Sequence, residues 1–207
     1  MYTLYCRNGA GSQAVEALLA VCGAKTEIAV LDRNPDGSFP EFFHRINPKA
    51  EVPTLVLPDH SIMTESAAMM IHIADSYPAA GVSPPLDSAQ RPQFLRWMVY
   101  LAATLYMSDL RLYYPQRYTT RPGDIDGIKE KAAETMAREF AIFSAAIAEG
   151  PFFFGAKMSA LDIYAAMLIS WAPDMAALFA THSKLKALYD AVTAVPKVKT
   201  VWERNRV

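Results

Sequence analysis

The sequence predicts an α/β domain built on a four-stranded mixed sheet, followed by an all-α domain. Three observations carry this prediction. Strand and helix signals alternate as far as Tyr77, whereas helical periodicity dominates beyond Pro85. Between them, residues 78–85 hold three prolines, a glycine and a serine, the composition of a linker. The third and fourth strand signals are joined by Pro58-Asp59-His60, a hairpin connection and not another helical crossover. At 207 residues and 52% hydrophobic content the chain can bury a sizeable core, which excludes a disordered or collagen-like chain.

Each element has a local reason. Tyr2–Cys6 is rich in β-formers and stops at Arg7-Asn8-Gly9-Ala10-Gly11, a loop by composition. Ser12 is placed to cap a helix whose Val15, Leu18, Leu19 and Cys22 recur at helical spacing, with Gly23 as its stop. Lys25–Leu31 reads as a second strand, closed by Asp32-Arg33-Asn34-Pro35-Asp36-Gly37. A short helix is expected over Pro40–Ile46, short strands at Thr54–Leu57 and Ser61–Met63, and a helix over Ser66–Tyr77. Long helices are expected over Ala89–Tyr114 and Ile125–Glu149, then over Ser159–Trp171, Ser183–Ala194 and Lys197–Arg204. Strands one and two, joined through a helix, should be parallel with a right-handed crossover. The hairpin beside them completes a thioredoxin-like arrangement. The boundaries this implies are 1–78 for the α/β domain and 86–207 for the helical one.

Twenty Lys and Arg against twenty-one Asp and Glu, with no basic run, speak against a nucleic-acid binder. No apolar run approaches the roughly 18 residues of a membrane span, and Met1-Tyr2-Thr3-Leu4-Tyr5 does not resemble a signal peptide. Cys6 and Cys22 follow neither a CxxC nor a zinc spacing, and His44, His60, His72 and His182 are scattered. The expectation is a cytoplasmic protein without a metal site.

Gly9-Ala10-Gly11-Ser12-Gln13-Ala14 has the G-x-G-x-x-A form of a dinucleotide fingerprint, with Asp32 at the position of its acid. A dinucleotide fold needs further βαβ units, and a hairpin followed by helices does not supply them. The motif is better read as a glycine-rich turn ahead of a helix.

Asn47-Pro48-Lys49-Ala50-Glu51-Val52-Pro53-Thr54-Leu55, followed by Thr64-Glu65-Ser66-Ala67-Ala68, resembles the glutathione transferase pattern N-P-x-G-x-V-P-x-L and E-S-x-A-I. Ser159-Ala160-Leu161-Asp162-Ile163 resembles the helix-capping motif of that family's second domain. The resemblance covers nearly the whole chain. It implies glutathione as co-substrate, a homodimer, and transfer of the thiolate to a hydrophobic electrophile. It also implies a cis bond before Pro53, with the N–H and C=O of Val52 pairing with glutathione's cysteine like an added strand. Glu65 would face the ligand's ammonium, and Ser66, opening a helix, the γ-glutamyl carboxylate. Tyr106, Met107, Arg111, Tyr113 and Tyr114 are the candidate walls of the electrophile pocket.

Activation requires chemistry the motif does not name. A free thiol of pKa near 8.5 is only about 3% ionised at pH 7. Lowering that pKa by about two units takes roughly 2.7 kcal/mol of extra thiolate stabilisation. The family uses Tyr, Ser or Cys for this, and those positions fall here at Cys6, at Gly9 or Ala10, and at Gly11. Ser12 is the nearest hydroxyl; Cys6 and the backbone N–H groups of the loop are the alternatives. Glu51 stands where a group binding the glycine carboxylate is expected, with Arg33, His44 or Lys49 as substitutes. Competing readings are glutathione-dependent peroxidase or thiol exchange, and a silent member that binds a hydrophobic ligand or a protein.

Overall fold

The structure is a computed structural model and describes residues 1–206. Strand β1 (Tyr2–Cys6) alternates between buried Tyr2, Leu4 and Cys6 and half-buried Thr3 and Tyr5, the period of two that puts successive side chains on opposite faces. It pairs in parallel with β2 (Thr26–Val30), Tyr2 opposite Thr26 and Cys6 opposite Val30. On its other edge it pairs antiparallel with β3 (Thr54–Val56), Tyr5 opposite Thr54. The short β4 (Ile62–Met63) closes the order β2-β1-β3-β4. This is the expected four-stranded mixed, thioredoxin-like sheet.

Helix α1 (Ser12–Cys22) makes the crossover from β1 to β2 and ends at Gly23, whose φ of 68° only glycine adopts without a side-chain penalty. α1 packs against α3 (Ser66–Ser76), burying Leu18 and Leu19 of the first and Met69, Met70 and Ile73 of the second. On Tyr5's face of the sheet, α2 (Glu41–Ile46) contributes Phe43, 5.4 Å from the Tyr5 ring. The G-x-G-x-x-A segment opens α1, but this four-stranded sheet contains no second βαβ unit, and Asp32 is exposed.

The chain forms two compact units, Met1–Ser83 joined by the stretch from Thr193 onward, and Pro84–Val192. The division departs from the sequence-based boundaries at the C-terminus. Helix α10 (Pro196–Arg204) belongs with the sheet unit because it packs on α1. There Arg204 pairs with the buried Glu16 carboxylate, and the Asn205 amide donates to it at 3.3 Å. Periodicity identifies the apolar stripe of a helix but not the surface that covers it.

In the second unit, α4 (Arg91–Tyr100) and α5 (Tyr106–Tyr113) form one continuous rod, as expected, except that Leu101–Leu105 winds as a π-helix. The Thr104 hydroxyl donates to the Tyr100 carbonyl at this segment, a bond that competes with the helical ladder. α6 (Ile125–Ala146) packs along α5. α7 (Ala160–Ser170) is almost wholly buried. Its start is fixed by the expected Ser159/Asp162 capping box: the Asp162 carboxylate accepts from the Ser159 N–H and hydroxyl, each at 2.7 Å, and from the Phe153 N–H at 2.6 Å. Burial nevertheless pushes the Asp162 carboxyl up to about 6. α8 (Met175–Thr181), which the sequence reading left out, precedes α9 (Ser183–Ala194).

Candidate functional site

In the sheet unit the expected ligand-binding residues fall at two places, the turn ahead of β3 and the start of α3. The Val52–Pro53 bond is cis. What holds the turn is a buried polar network that the sequence reading had not assigned. The Asn47 side-chain amide donates to the Glu51 carbonyl at 3.0 Å and to the Thr54 hydroxyl at 2.9 Å. That hydroxyl donates in turn to the Glu51 carbonyl at 2.8 Å, and Asn47 Oδ1 accepts from the Lys49 N–H at 3.1 Å. Asn47 and Thr54 are both buried, so each polar atom needs these partners. Val52 and Ala50 pack against the Leu31–Phe39–Phe43 cluster together with Tyr5. The loop is thereby clamped on both sides by side chains.

Glu65 carries the second geometric signal. It is the N-cap of α3, with φ 63° and ψ 98°. A positive φ in a side-chain-bearing residue costs on the order of 1–3 kcal/mol and concentrates at ligand clamps. Ser66 is accordingly the first helical residue, as expected of a residue opening the helix, and half-buried. Glu65 is exposed.

Electrostatics resolve part of the Glu51 difficulty. Glu51 pairs with Lys49 at 2.9 Å on the surface. That contact raises the Lys49 ammonium above its usual range, the Glu51 hydrogen bond contributing most and Glu65 adding a smaller attraction. The Glu51 charge is thus neutralised locally. Arg33 is bound to the Gly37 carbonyl and lies 4.5 Å over the Phe39 ring, and His44 is exposed.

The structure places the candidate activators differently from the sequence expectation. Gly11, not Ser12, is the N-cap of α1. The Ser12 hydroxyl is fully buried, donates to the Arg7 carbonyl at 3.1 Å and accepts from the Arg7 N–H at 3.3 Å. Its hydrogen-bonding capacity is spent on closing the loop. Cys6 is buried and burial pushes its thiol up, against a smaller opposing pull from Arg204. A thiol held protonated is a poor nucleophile. The first turn of α1 remains, where backbone N–H groups lack helical acceptors and the helix dipole is positive.

In the helical unit four of the five pocket candidates separate into two groups. Tyr106 lies against Trp171 with ring centroids 5.3 Å apart, and the Tyr113 hydroxyl donates to the Trp171 carbonyl at 2.8 Å. Arg111 instead lies 5.0 Å over Tyr118 and donates to the Met107 carbonyl, while Arg117 covers Tyr114 at 4.4 Å. Trp171 was read only as a helix end. Among the described residues no group of three or more His, Cys, Asp or Glu could hold a metal ion, and no helix is long and apolar enough to cross a membrane.

Comparison with known proteins accords with this geometry. Residues 11–76 match the family model for the glutathione S-transferase N-terminal domain, and residues 116–205 the one for the C-terminal domain. The chain belongs to the glutathione transferase family. It is 27% identical over 208 residues to the uncharacterized GST-like protein YncG of Escherichia coli (strain K12), covering all of both chains. Glutathione S-transferase GstA of Escherichia coli O157:H7 is 25% identical over 130 residues, covering 63% of this chain and 61% of the relative. Among solved structures, a Sulfitobacter glutathione transferase homologue with bound glutathione superposes with a TM-score of 0.86 at 25% identity, covering 100% of this chain and 99% of that one. A sphingomonad glutathione S-transferase complexed with glutathione gives 0.81 at 26%, covering 98% of each chain.

Proposed function

We propose that this protein is a glutathione transferase that conjugates the glutathione thiolate to a hydrophobic electrophile. The observation that carries the reading is the clamped loop that holds Val52, together with the left-handed Glu65 that opens α3. It is supported by the glutathione bound in the Sulfitobacter and sphingomonad structures. The Val52 N–H and C=O would pair with the cysteine of glutathione. Glu65 would take the γ-glutamyl ammonium, and Ser66 with the first N–H groups of α3 its carboxylate. With the Ser12 hydroxyl committed to Arg7, the thiolate is assigned to backbone N–H groups at the start of α1. That source favours a modest catalyst. Tyr106 and Tyr113, with Arg111 and Tyr114 on the adjoining face, would bind the electrophile. Two free cysteines fit a reducing cytoplasm. The exposed Leu95 and Val99 of α4, 37% and 58% accessible, are one helical turn apart and fit an interface between two copies of the chain.

A silent binding protein is the second reading, favoured by the spent Ser12 hydroxyl and the buried Cys6. Calorimetric titration with glutathione, followed by turnover of chlorodinitrobenzene, separates the two. Ser66→Ala should weaken glutathione binding by about 1.5–3 kcal/mol, the loss of a charge-assisted hydrogen bond. Unchanged affinity would leave Ser66 with a role in helix initiation alone. Tight binding without turnover would favour the silent protein.

A further inference from the structure

Helix α4 carries a face that the transferase reading does not use. Gln90, Gln93 and Arg96 recur every three residues, with Trp97 beside them, so they share one face of the helix start. Leu95 and Val99, proposed above for contact between copies, lie roughly half a turn around the axis from Gln93. Within the same unit α6 ends in Ala146, and Ala148 follows shortly after. These two side chains are single methyl groups, and a cavity of about 330 Å³ lies open between them and the α4 face.

The floor of this cavity is aromatic. Trp97 and Phe153 are each 4% exposed with ring centroids 5.4 Å apart, and Phe154 meets Phe153 edge-on at 4.9 Å. The backbone behind the two phenylalanines is tied down. The Phe153 carbonyl accepts from the Ala148 N–H at 3.0 Å, and the Phe153 N–H donates to Asp162 at 2.6 Å. The rim is polar: Gln90, Gln93 and Arg96 are exposed, and Arg96 is the one charged side chain of the lining. Its guanidinium lies 4.4 Å over the Trp97 ring, and its Nη1 donates to Gln93 Oε1 at 3.4 Å. Among the described residues no carboxylate pairs with Arg96, and Glu149, beside the rim, is taken by Lys184 at 3.3 Å. A guanidinium laid on a ring, with most of its five donors unspent, is preorganised for an anion.

We propose that this cavity binds a flat aromatic monocarboxylate of one or two rings. The ring lies against Trp97 and Phe154, and the carboxylate takes Arg96. Three features select that class. The volume is at the small end of ligand sites, which run from about 300 to about 1,000 Å³. An aromatic floor favours a flat π-surface over a flexible chain. A single guanidinium balances one negative charge, and its planar fork matches a carboxylate with two parallel bonds. No lining residue belongs to the Val52 loop, to α3 or to the electrophile candidates Tyr106, Arg111, Tyr113 and Tyr114. Binding therefore needs neither glutathione nor turnover.

The test is calorimetric titration of the full chain, without glutathione, with 2-naphthoate and with its uncharged counterpart 2-naphthamide. Wild type should hold naphthoate at one site, about tenfold more tightly than the amide, the scale of a charge-assisted hydrogen bond. Arg96→Gln, at an exposed position, should erase that preference and leave the naphthamide affinity within about twofold. Arg96→Lys keeps the charge without the fork and should recover only part of the preference. Ala148→Trp, filling the hollow from its exposed rim, should loosen both ligands by about tenfold or more. Naphthoate affinity unmoved by Arg96→Gln and by Ala148→Trp would put the ligand elsewhere on the protein and overturn the proposal. Equal affinity of the wild type for acid and amide, or no saturable binding of naphthoate, would overturn it as well.

Discussion

Two buried polar sites, one in each unit, are treated in opposite ways. In the loop from Asn47 to Thr54 the side-chain amide and hydroxyl are both spent on the chain itself, and the backbone of Val52 is what they hold in place. The start of α1 repeats the device, with the Ser12 hydroxyl closing the Arg7 turn. On α5 the buried Asp109 keeps its Oδ1 without a hydrogen-bond partner. Recognition of a peptide needs repeated N–H and C=O groups at fixed spacing, which a clamped loop offers with little ordering cost on binding. The first arrangement adds to stability and the second subtracts from it.

The sharpest break in this comparison comes from pH. The folded-state pKa of Asp109 is about 7, above an unfolded value near 3.9, so between these the folded chain holds a proton that the unfolded chain has released. Its contribution to stability therefore falls as pH rises from about 4 to about 7, then levels off. From about pH 5 to about pH 8 the wild type should lose on the order of 3 kcal/mol more than Asp109→Leu. Urea unfolding at the two pH values measures this, and parallel losses in both proteins would mean that Asp109 is already partnered. On the other side of the comparison, Asn47→Ala should cost about 2 kcal/mol in the same assay, the loss of buried hydrogen bonds whose partners stay behind. Because the loop then loosens, glutathione affinity should fall as well. Retained affinity in a destabilised Asn47→Ala would show that Val52 is held without the network.

How much of this was legible beforehand follows from which features residue identity determines. Gly23 stops α1 because only glycine takes its φ freely, and Pro53 marks the turn before β3 because it cannot donate to a ladder. The capping position of α1 was one residue too late, and that of α3 left no signal. Their caps are Gly11 with helical backbone angles and Glu65 with positive φ, and neither geometry is written in a side chain. The π-helical segment Leu-Ala-Ala-Thr-Leu was invisible because apart from threonine these residues favour an ordinary helix. Asn47 and Thr54 were visible as motif members, but the donor-acceptor chain between them appears only when the loop is closed. Asp109 did leave a signal. It falls four residues after the buried Leu105, at a core-facing position where an acid is out of pattern.

The smallest effect bears on the most ambiguous residue. Ser12→Ala removes a hydroxyl that accepts from the Arg7 N–H and donates to the Arg7 carbonyl, leaving both backbone groups to find water at the edge of a part-buried loop. The expected cost is about 1 kcal/mol of stability. Catalysis should barely respond, since a hydroxyl directed at Arg7 is not directed at a sulfur. The apparent pKa of the bound thiol, read from the pH dependence of kcat/KM, should stay where it is in the wild type. If Ser12 instead turns toward the ligand when glutathione arrives, that pKa should rise and kcat/KM should drop roughly tenfold for each unit, or about 1.4 kcal/mol. A thiol pKa unmoved in both Ser12→Ala and Cys6→Ala leaves the amides and dipole at the start of α1 as the source of activation. The N-terminal unit would then bind the peptide and activate its sulfur with the same kind of group, the backbone N–H.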